Sequence, residues 1–400
     1  MMKSRAALLV LLLLSTACGG RNIHKDLTDD PKVLVRRWTM SSLSKGQEIR
    51  NAGDRGFDFS NPVFFENTLI FGNHSTGLIA IYPKINQQRW VLPIQNGVIS
   101  ELAVEGNTVY FGGGDGFFYA VDAESGRVNW RYELRNPIVS QPTISGGRVF
   151  LTTTDDTVYA FDAGTGKWLW NYRRRSAPTA TILGASAPLV DGSEVIAGLS
   201  DGFLVALSIN DGQLKWERKL HSGTKFTDVD AHPVLENGVI YIPSYDGALY
   251  ALKRAGGDVI WRMDVGGSKR VVVDEDRLYF PATDGIVYCV QKSSGKMLWQ
   301  FEMDGGTPTQ VAVTDQLAIV GSSFQYLYAL DKKTGKPLYR YNVGNGSGFH
   351  GTPAFDPASQ QVYILSGAGN LFDFEIRKSP RKEFSHGSAD PYRFMDFSVR

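Results

Sequence analysis

Short apolar runs recur along the chain, each with an aromatic or large apolar residue, a small residue and an apolar residue in succession. The runs occupy 78–81, 116–122, 157–162, 202–207, 247–252, 285–290 and 326–331. A run that is apolar on both faces is typical of a strand buried between two layers, and a small residue at its centre permits close stacking of sheets. The pattern therefore predicts a series of stacked β-sheets, each with one fully buried strand.

An aromatic residue stands ten positions after each small residue. The pairs are Ala80 and Trp90, Ala120 and Trp130, Ala160 and Trp170, Ala206 and Trp216, Ala251 and Trp261, Cys289 and Trp299, and Ala329 and Tyr339. Between the two members lies a glycine in six copies, and Asn86 in the first copy. Glycine and asparagine are the residues that best adopt positive φ, so each copy predicts a hairpin turn that leads into the strand carrying the aromatic residue.

Further strands precede each apolar run. Pairs such as Val109-Tyr110 predict one strand, joined to the run by an Asp-Gly turn such as Asp115-Gly116. Proline-containing segments such as Gln141-Pro142-Thr143 begin another strand, which gives about four per unit. Successive tryptophans lie 40, 40, 46, 45 and 38 residues apart. Four strands with a period of about 40–45 residues indicate the blades of a β-propeller.

The fold class that we predict is all-β, an eight-bladed propeller with four antiparallel strands per blade over residues 32–376. Segment 369–374 repeats the buried run but has no tryptophan after it, whereas Trp38 has no run before it. We therefore expect the N-terminal strand to complete the last blade, which removes the open edges of a linear stack. Seven blades are the alternative, if the run at 78–81 is only a connection. Residues 377–400 are expected to form a disordered tail.

The N-terminus has the features of an export signal. Lys3 and Arg5 precede nine apolar residues, which are too few to span a bilayer. Thr16-Ala17-Cys18 resembles the processing site of bacterial lipoproteins, which implies that residues 1–17 are removed, that Cys18 is lipidated and that residues 18–31 form a tether. With Gly19 after the cysteine, the resemblance implies the outer membrane as destination. An ordinary signal peptide is the alternative.

The amino-acid composition excludes several classes of function. Lys and Arg total 42 and Asp and Glu total 41, so a formal net charge of +1 gives no general attraction to nucleic acid. Two cysteines, Cys18 and Cys289, exclude a disulfide scaffold and a four-cysteine zinc site. We identify no metal site, no cofactor and no catalytic residue.

Two local motifs have structural explanations. Residues 198–202 match the G-x-S-x-G pattern of hydrolases, but the repeat places Ser200 in a turn between strands, where that pattern requires a strand followed by a helix. Cys289 takes the position of the small alanine, which indicates a buried filler rather than a nucleophile. We expect the tryptophans, Trp168 included, to form core and blade contacts, with a sugar-binding stack as the weaker alternative.

Two connections exceed what the repeat needs, one within 173–188 and one within 221–233. Neighbouring connections between blades emerge on the same rim of a propeller, so these two segments predict one patch with basic, apolar and acidic residues. Additional loop residues are where function concentrates. Variation in loop length without functional consequence is equally compatible with the sequence.

The whole pattern resembles the BamB family, lipoprotein propellers of the outer-membrane β-barrel assembly machinery. Gly184-Ala185-Ser186-Ala187-Pro188 and Thr227-Asp228-Val229-Asp230 are the most specific local matches. The resemblance implies contacts with the periplasmic domains of the insertase BamA through these two connections. By position, the contacting residues are Ile182, Leu183, Asp228 and Asp230. Where Leu183 stands, better-known members have arginine, so one charged contact is lost or supplied elsewhere.

We therefore expect a non-catalytic scaffold, lipid-anchored in the outer membrane and facing the periplasm. Its partners would be BamA, possible other subunits of the machinery and unfolded outer-membrane proteins. The repeat also resembles the quinoprotein dehydrogenases, whose propeller holds pyrroloquinoline quinone and calcium in its central tunnel. A general periplasmic propeller that binds proteins or polysaccharide is a third reading, because a shared fold does not fix function.

Overall fold

The described part of the chain is all-β. The computed structural model describes residues 33–41, 60–174, 185–220, 228–245, 247–344 and 347–377. Within these ranges, 32 strands form eight antiparallel sheets of four strands each. The predicted eight-bladed propeller is confirmed, and the reading with seven blades is wrong. No helix in these ranges has the length and hydropathy needed to cross a membrane.

The first strand, β1 (Leu34–Ser41), belongs to the last blade. The next sixteen strands form blades 1 to 4 in chain order, each from its innermost to its outermost strand. Blade 1 contains β2 (Val63–Phe65), β3 (Thr68–Asn73), β4 (Gly77–Tyr82) and β5 (Gln87–Pro93); blade 2 contains β6 (Ala103–Glu105), β7 (Thr108–Gly112), β8 (Phe117–Asp122) and β9 (Val128–Glu133). Blade 3 contains β10 (Thr143–Ser145), β11 (Arg148–Thr152), β12 (Thr157–Asp162) and β13 (Trp168–Arg173); blade 4 contains β14 (Leu189–Asp191), β15 (Glu194–Gly198), β16 (Phe203–Ser208) and β17 (Leu214–Lys219).

Blades 5 to 8 follow the same order, and β1 supplies the fourth strand of blade 8. Blade 5 contains β18 (Val234–Glu236), β19 (Val239–Pro243), β20 (Leu249–Lys253) and β21 (Val259–Met263); blade 6 contains β22 (Val272–Asp274), β23 (Arg277–Pro281), β24 (Ile286–Gln291) and β25 (Met297–Glu302). Blade 7 contains β26 (Ala312–Val313), β27 (Leu317–Gly321), β28 (Tyr326–Asp331) and β29 (Pro337–Asn342); blade 8 contains β30 (Ala354–Asp356), β31 (Gln361–Leu365) and β32 (Asn370–Ile376).

The repeated apolar run is the third strand of each blade, and it is buried on both faces. In blades 1 to 7 the small residue of this strand lies opposite the aromatic residue of the fourth strand, as Ala120 lies opposite Trp130. A register shift follows this pair in the hairpin of blades 1 to 7, and the same shift occurs in β1 between Arg36 and Trp38. The recurring bulge therefore marks β1 as an outer strand of the same kind as the others.

Tryptophans of the fourth strands dock onto the next blade. The indole N–H of Trp130, for example, donates to the carbonyl oxygen of Ala163 at 2.9 Å. Trp90, Trp170, Trp261 and Trp299 donate to the next blade in the same way, at 3.0–3.1 Å. Trp168 is the exception to the predicted role of the tryptophans, because 44% of its surface is exposed. It lies on the other face of the outer strand from Trp170.

The ring closes through the two ends of the described chain. β1 pairs antiparallel with β32 from Leu34 opposite Ile376 to Ser41 opposite Asn370. Leu34 is fully buried against blades 7 and 8, whereas Trp38 and Met40 pack against the core between blades 8 and 1. The predicted closure by the N-terminal strand is confirmed. Residues 1–32 and 378–400, which contain the predicted leader, tether and most of the tail, lie outside the described ranges.

Candidate functional site

The connections after β13 and β17 end on the same face of the propeller. Each leaves the outermost strand of one blade and enters the innermost strand of the next. Asp228 and Asp230 lie just before β18. Ile182 and Leu183, like Cys18, lie outside the described residues, so the structure does not place them.

The two connections contact each other directly. The hydroxyl of Ser186, in the first connection, donates to the carbonyl oxygen of Ala231 in the second at 2.8 Å. The amide N–H of Val229 donates to Leu199 at 3.1 Å, and the Asp228 carbonyl oxygen accepts from the amide of Tyr245 at 2.9 Å. These bonds fix the second connection between blades 4 and 5. The sequence-based expectation that the two segments are neighbours is therefore met in their described parts.

Gly198 lies where the backbone of the second connection approaches blade 4 closely. A Cβ atom on Gly198, the last residue of β15, would lie 2.0 Å from the carbonyl oxygen of Val229. A side chain at position 198 would therefore push away the segment that carries Asp228 and Asp230. Glycine at the end of β15 allows the acidic segment to lie directly on blade 4.

Two further aspartates join this segment, and sequence reasoning did not identify them. Asp156, in the turn between β11 and β12, accepts from the amide of Ser200 at 2.9 Å and also from its hydroxyl. Asp201 follows Ser200 in the turn between β15 and β16. We call Asp156, Asp201, Asp228 and Asp230 the acidic cluster. The sequence shows Asp156 as one of many turn aspartates, and only the ring brings turns of adjacent blades together.

An arginine at the end of the outer strand holds one side of the acidic cluster. Nε of Arg174 lies 2.7 Å from the carboxylate of Asp201, and its guanidinium also pairs with Glu217. The guanidinium stacks on the ring of Phe203, with 3.7 Å between Cζ and the ring centroid. The structure thus places Arg174 as the counter-charge of this face.

Burial and mutual repulsion raise the pKa values in the acidic cluster. Burial, followed by the neighbouring Asp228, raises the pKa of Asp230 to about 7. Burial also raises the pKa of Asp156 and that of Asp201, although Arg174 opposes the rise at Asp201. Asp228, one of the residues that the resemblance implies as a partner contact, has a fully buried side chain. Asp230 is the more exposed residue of the pair, although its Oδ1 atom is buried.

The two discounted motifs have the predicted structural roles. Ser200 lies in the turn between β15 and β16, with no helix after it, and its hydroxyl is bonded to Asp156. Cys289 is fully buried in β24, and burial raises the pKa of its thiol to about 11. Neither arrangement provides an activated nucleophile.

Eight side chains surround the propeller axis. They occupy the position two residues before the innermost strand of each blade: Asn61, Glu101, Gln141, Ala187, His232, Arg270, Gln310 and Thr352. We call them the axial ring. The Gln310 amide, with its oxygen toward blade 6, accepts from Nε and Nη2 of Arg270 at 3.1 and 2.9 Å. The other polar atom of the Gln310 amide lies 3.4 Å from the hydroxyl oxygen of Thr352. That hydroxyl oxygen lies 3.0 Å from a carboxylate oxygen of Glu101.

This series of hydrogen bonds runs from the guanidinium of Arg270 to the carboxylate of Glu101, across blades 6, 7, 8 and 2. Burial lowers the pKa of His232, another member of the axial ring, to about 4. The described residues contain no group of three His, Cys, Asp or Glu side chains that could hold a metal ion. Four of the eight side chains of the axial ring thus bond one another, and Glu101 is the only carboxylate among the eight.

Comparison with known proteins identifies the family. The family model described as outer membrane protein assembly factor BamB matches residues 36–301 and 283–382. The chain belongs to the BamB family.

Relatives and solved structures agree with membership of the BamB family. The outer membrane protein assembly factor BamB of Legionella pneumophila (strain Paris) is 27% identical over 208 residues, 50% of this chain and 53% of that protein. The chain thus spans about half the length of this curated relative. BamB from Moraxella catarrhalis has a crystal structure with a TM-score of 0.73 and 20% identity, covering 86% of this chain and all of that one.

Enzymes share the fold as well. The quinohemoprotein alcohol dehydrogenase of Comamonas testosteroni gives a TM-score of 0.69 at 14% identity, over 90% of this chain and 79% of that one. At this identity the likeness concerns the propeller alone.

Proposed function

We propose that this protein is a non-catalytic scaffold of outer-membrane protein assembly. In this proposal Cys18 carries the lipid anchor after removal of residues 1–17, residues 18–31 are the tether, and the propeller faces the periplasm. The propeller binds the periplasmic domains of the BamA insertase and helps in the folding and insertion of outer-membrane proteins. It needs no metal or cofactor. Membership of a family named for outer membrane assembly supports the proposal.

The observation that supports the binding proposal is that the two long connections lie together on one face of the propeller. The two connections that exceed the repeat are hydrogen-bonded to each other through Ser186 and Ala231, and the second presents Asp230 beside the buried Asp228. Partly buried carboxylates on a rim are suited to a basic partner surface, because a nearby cation stabilises their charged form. Ile182 and Leu183 supply apolar contacts to the partner in this proposal.

The test measures affinity of the purified propeller for purified periplasmic domains of the insertase. We expect Asp230→Asn to weaken binding by at least tenfold, because truncating a desolvated interface charge costs about 2–5 kcal/mol and a rim charge less. Leu183→Ala should add to the loss. Asp276→Asn is the matched control, since Asp276 lies in the turn between β22 and β23 on the opposite face. Equal affinity of Asp230→Asn and the control would reject this site.

Affinity should also depend on pH. The pKa of Asp230 is raised to about 7 in the free protein, so the carboxyl becomes neutral as pH falls through 7. A basic partner binds the ionised form, so we expect binding to weaken as pH falls from 8 to 6. Titration calorimetry at several pH values measures this change, and Asp230→Asn should remove most of it. A pH dependence that persists in the variant would assign it to other groups.

Anchoring has its own test. Replacing Cys18 with Ala removes the residue that we propose is acylated. Metabolic labelling with palmitate should mark the wild-type protein and not the variant, and the variant should leave the membrane fraction or remain unprocessed. Label that persists in the variant would show that the anchor lies elsewhere.

A further inference from the structure

The closing blade differs from the other seven at one buried position. Its third strand has Asp373 where the other third strands have Ala80, Ala120, Ala160, Ala206, Ala251, Cys289 and Ala329. Asp373 lies opposite Trp38 of β1 on one side and opposite Tyr363 of β31 on the other. It is fully buried. An ionisable group therefore occupies the place that the repeat reserves for a small apolar side chain.

The surroundings of this position are aromatic. In blades 2, 3, 5 and 6, an aromatic residue of the second strand and the tryptophan of the fourth have ring centroids 5.9–6.0 Å apart, above the small residue. Tyr363 and Trp38 repeat this arrangement above Asp373, at 6.0 Å. Phe64 of blade 1 packs edge-on against Tyr363, with 5.6 Å between the centroids. The carboxyl group is thus enclosed at the seam where the last blade meets the first.

No hydrogen bond compensates for this burial within the described residues. Neither carboxyl oxygen of Asp373 has a partner there, and the indole N–H of Trp38 has none. The hydroxyl of Tyr363 donates to Gln361 at 2.6 Å, so it is directed away from the carboxyl. A buried carboxylate without hydrogen bonds is far more costly than a buried neutral acid.

The charges around the seam offset little of this cost. On β1, Arg37 favours the ionised form of Asp373, but it is 4.0 Å from Glu375 of β32, which opposes ionisation. Asp356, beside Tyr363, is also acidic. The residues of blade 1 in the same core are apolar: Phe64, Leu69, Phe71, Ile79, Ile81 and Val91. Burial dominates and raises the pKa of Asp373 to about 7.

The strand opposite Asp373 is joined to its blade differently from the other fourth strands. In blades 1 to 7 the fourth strand follows the third through a short hairpin, which keeps the two together. β1 instead comes from the other end of the chain, and no hairpin joins it to β32, so only its pairing with β32 and its packing against the neighbouring blades hold it in place. We propose that protonation of Asp373 controls how tightly the N-terminal strand seals the propeller ring. The neutral acid is compatible with the closed seam, and the carboxylate favours the open seam, where water reaches it.

The direction of the pH dependence follows from the linkage between proton binding at Asp373 and opening of the seam. Opening releases one proton from Asp373 when the solution pH lies between the ordinary value for aspartate and about 7. The contribution of the neutral acid to closure is complete below the ordinary value and is lost as pH rises through about 7. The population of the open seam should therefore rise by about tenfold per pH unit across that window, and then level off. A second consequence rests on the proposed function: with residues 18–31 as the tether, opening would also loosen the attachment of the propeller to its anchor.

Hydrogen exchange of β1 tests the proposal. Mass spectrometry of the peptide that contains Thr39 to Ser41, corrected for intrinsic exchange, should show this tenfold slope between pH 5 and 7 in the wild type. Asp373→Ala, which restores the residue typical of the repeat, should remove the slope and increase protection at pH 8. Glu375→Gln, a neighbouring exposed acid on the same strand, should retain the slope.

Two results would overturn the proposal. One is an unchanged slope in Asp373→Ala. The other is an Asp373 carboxyl carbon that titrates near the ordinary aspartate value in NMR spectra of the folded wild type, selectively labelled with ¹³C at aspartate. The NMR measurement needs no variant, so it decides the matter even where a substitution at the seam prevents folding.

Discussion

At the scale of single residues, the glycine in the hairpin between the third and fourth strands of blades 2 to 7 has a role beyond the turn. Gly166 has φ of +70°, as the turn requires, but a Cβ atom there would also lie 2.5 Å from ring atoms of Trp130 in the preceding blade. The ring of the neighbouring tryptophan thus occupies the space that a side chain at this position would fill. One residue type satisfies both the backbone of one blade and the contact between two blades.

This double role predicts unequal effects of two similar substitutions. Gly146, with φ of +58°, has nothing within 4 Å of an added Cβ, so Gly146→Ala pays only the left-handed backbone strain of about 1–2 kcal/mol. Gly166→Ala should cost about 1–3 kcal/mol more, because the methyl group displaces Trp130. Urea unfolding of both variants measures the difference. Equal loss of stability would show that tryptophan docking adds nothing at this contact.

At the scale of elements, β1 decides whether the ring is closed. It forms the outer edge of blade 8, and it contributes Leu34 to the core between blades 7 and 8 and Trp38 to the core between blades 8 and 1. The strand therefore belongs to two hydrophobic interfaces at once. Its loss would expose both, together with the edge of β32.

Truncation should reveal this contribution. A chain that begins at residue 42 should lose several kcal/mol of stability relative to one that begins at residue 33, because removing one buried aromatic side chain alone costs about 3–5 kcal/mol. Thermal unfolding of the two proteins gives the comparison. A third chain that lacks only residues 20–30 should match the longer one, and equal melting of all three would place closure in some other element.

At the scale of the whole molecule, the axial ring links blades that are distant in sequence. Arg270 and Glu101 are the charged ends of a hydrogen-bonded series that passes through Gln310 and Thr352. Hydrogen bonds in such a series polarise one another, so the two ends are energetically connected without touching. The axis is thus one place where non-neighbouring blades meet.

A double-mutant cycle measures this connection. We expect Glu101→Gln and Arg270→Met each to destabilise the protein, with a coupling energy of at least about 0.5 kcal/mol between them. Glu105, an exposed acid of the same blade, provides the control: Glu105→Gln should be additive with Arg270→Met. Additivity in both cycles would show that the series transmits no energy across the axis.

Much of the fold was predictable because the determinants are local and repeated. The small residue, the turn glycine and the tryptophan lie within ten positions of one another, so each blade is specified by a short stretch, and eight copies reveal the period. The unmatched Trp38 and the run at 369–374 predicted closure by the N-terminal strand, since an isolated half of a repeat has few other partners.

The sequence by itself thus determined the blades, their number and the position of the two long connections. It did not reveal which residues share the acidic face: Asp156 and Asp201 come from turns of different blades, and only the packing of blades 3, 4 and 5 brings them to Asp228. Nor did it separate Asp230, which is partly exposed, from Asp228, which is fully buried. Asp373 is one acid among many in the sequence, and burial beneath Trp38 and Tyr363 makes it exceptional. The physical reason is common to these cases, because local sequence fixes the strand and the turn, whereas burial and charge neighbours depend on how separate blades pack.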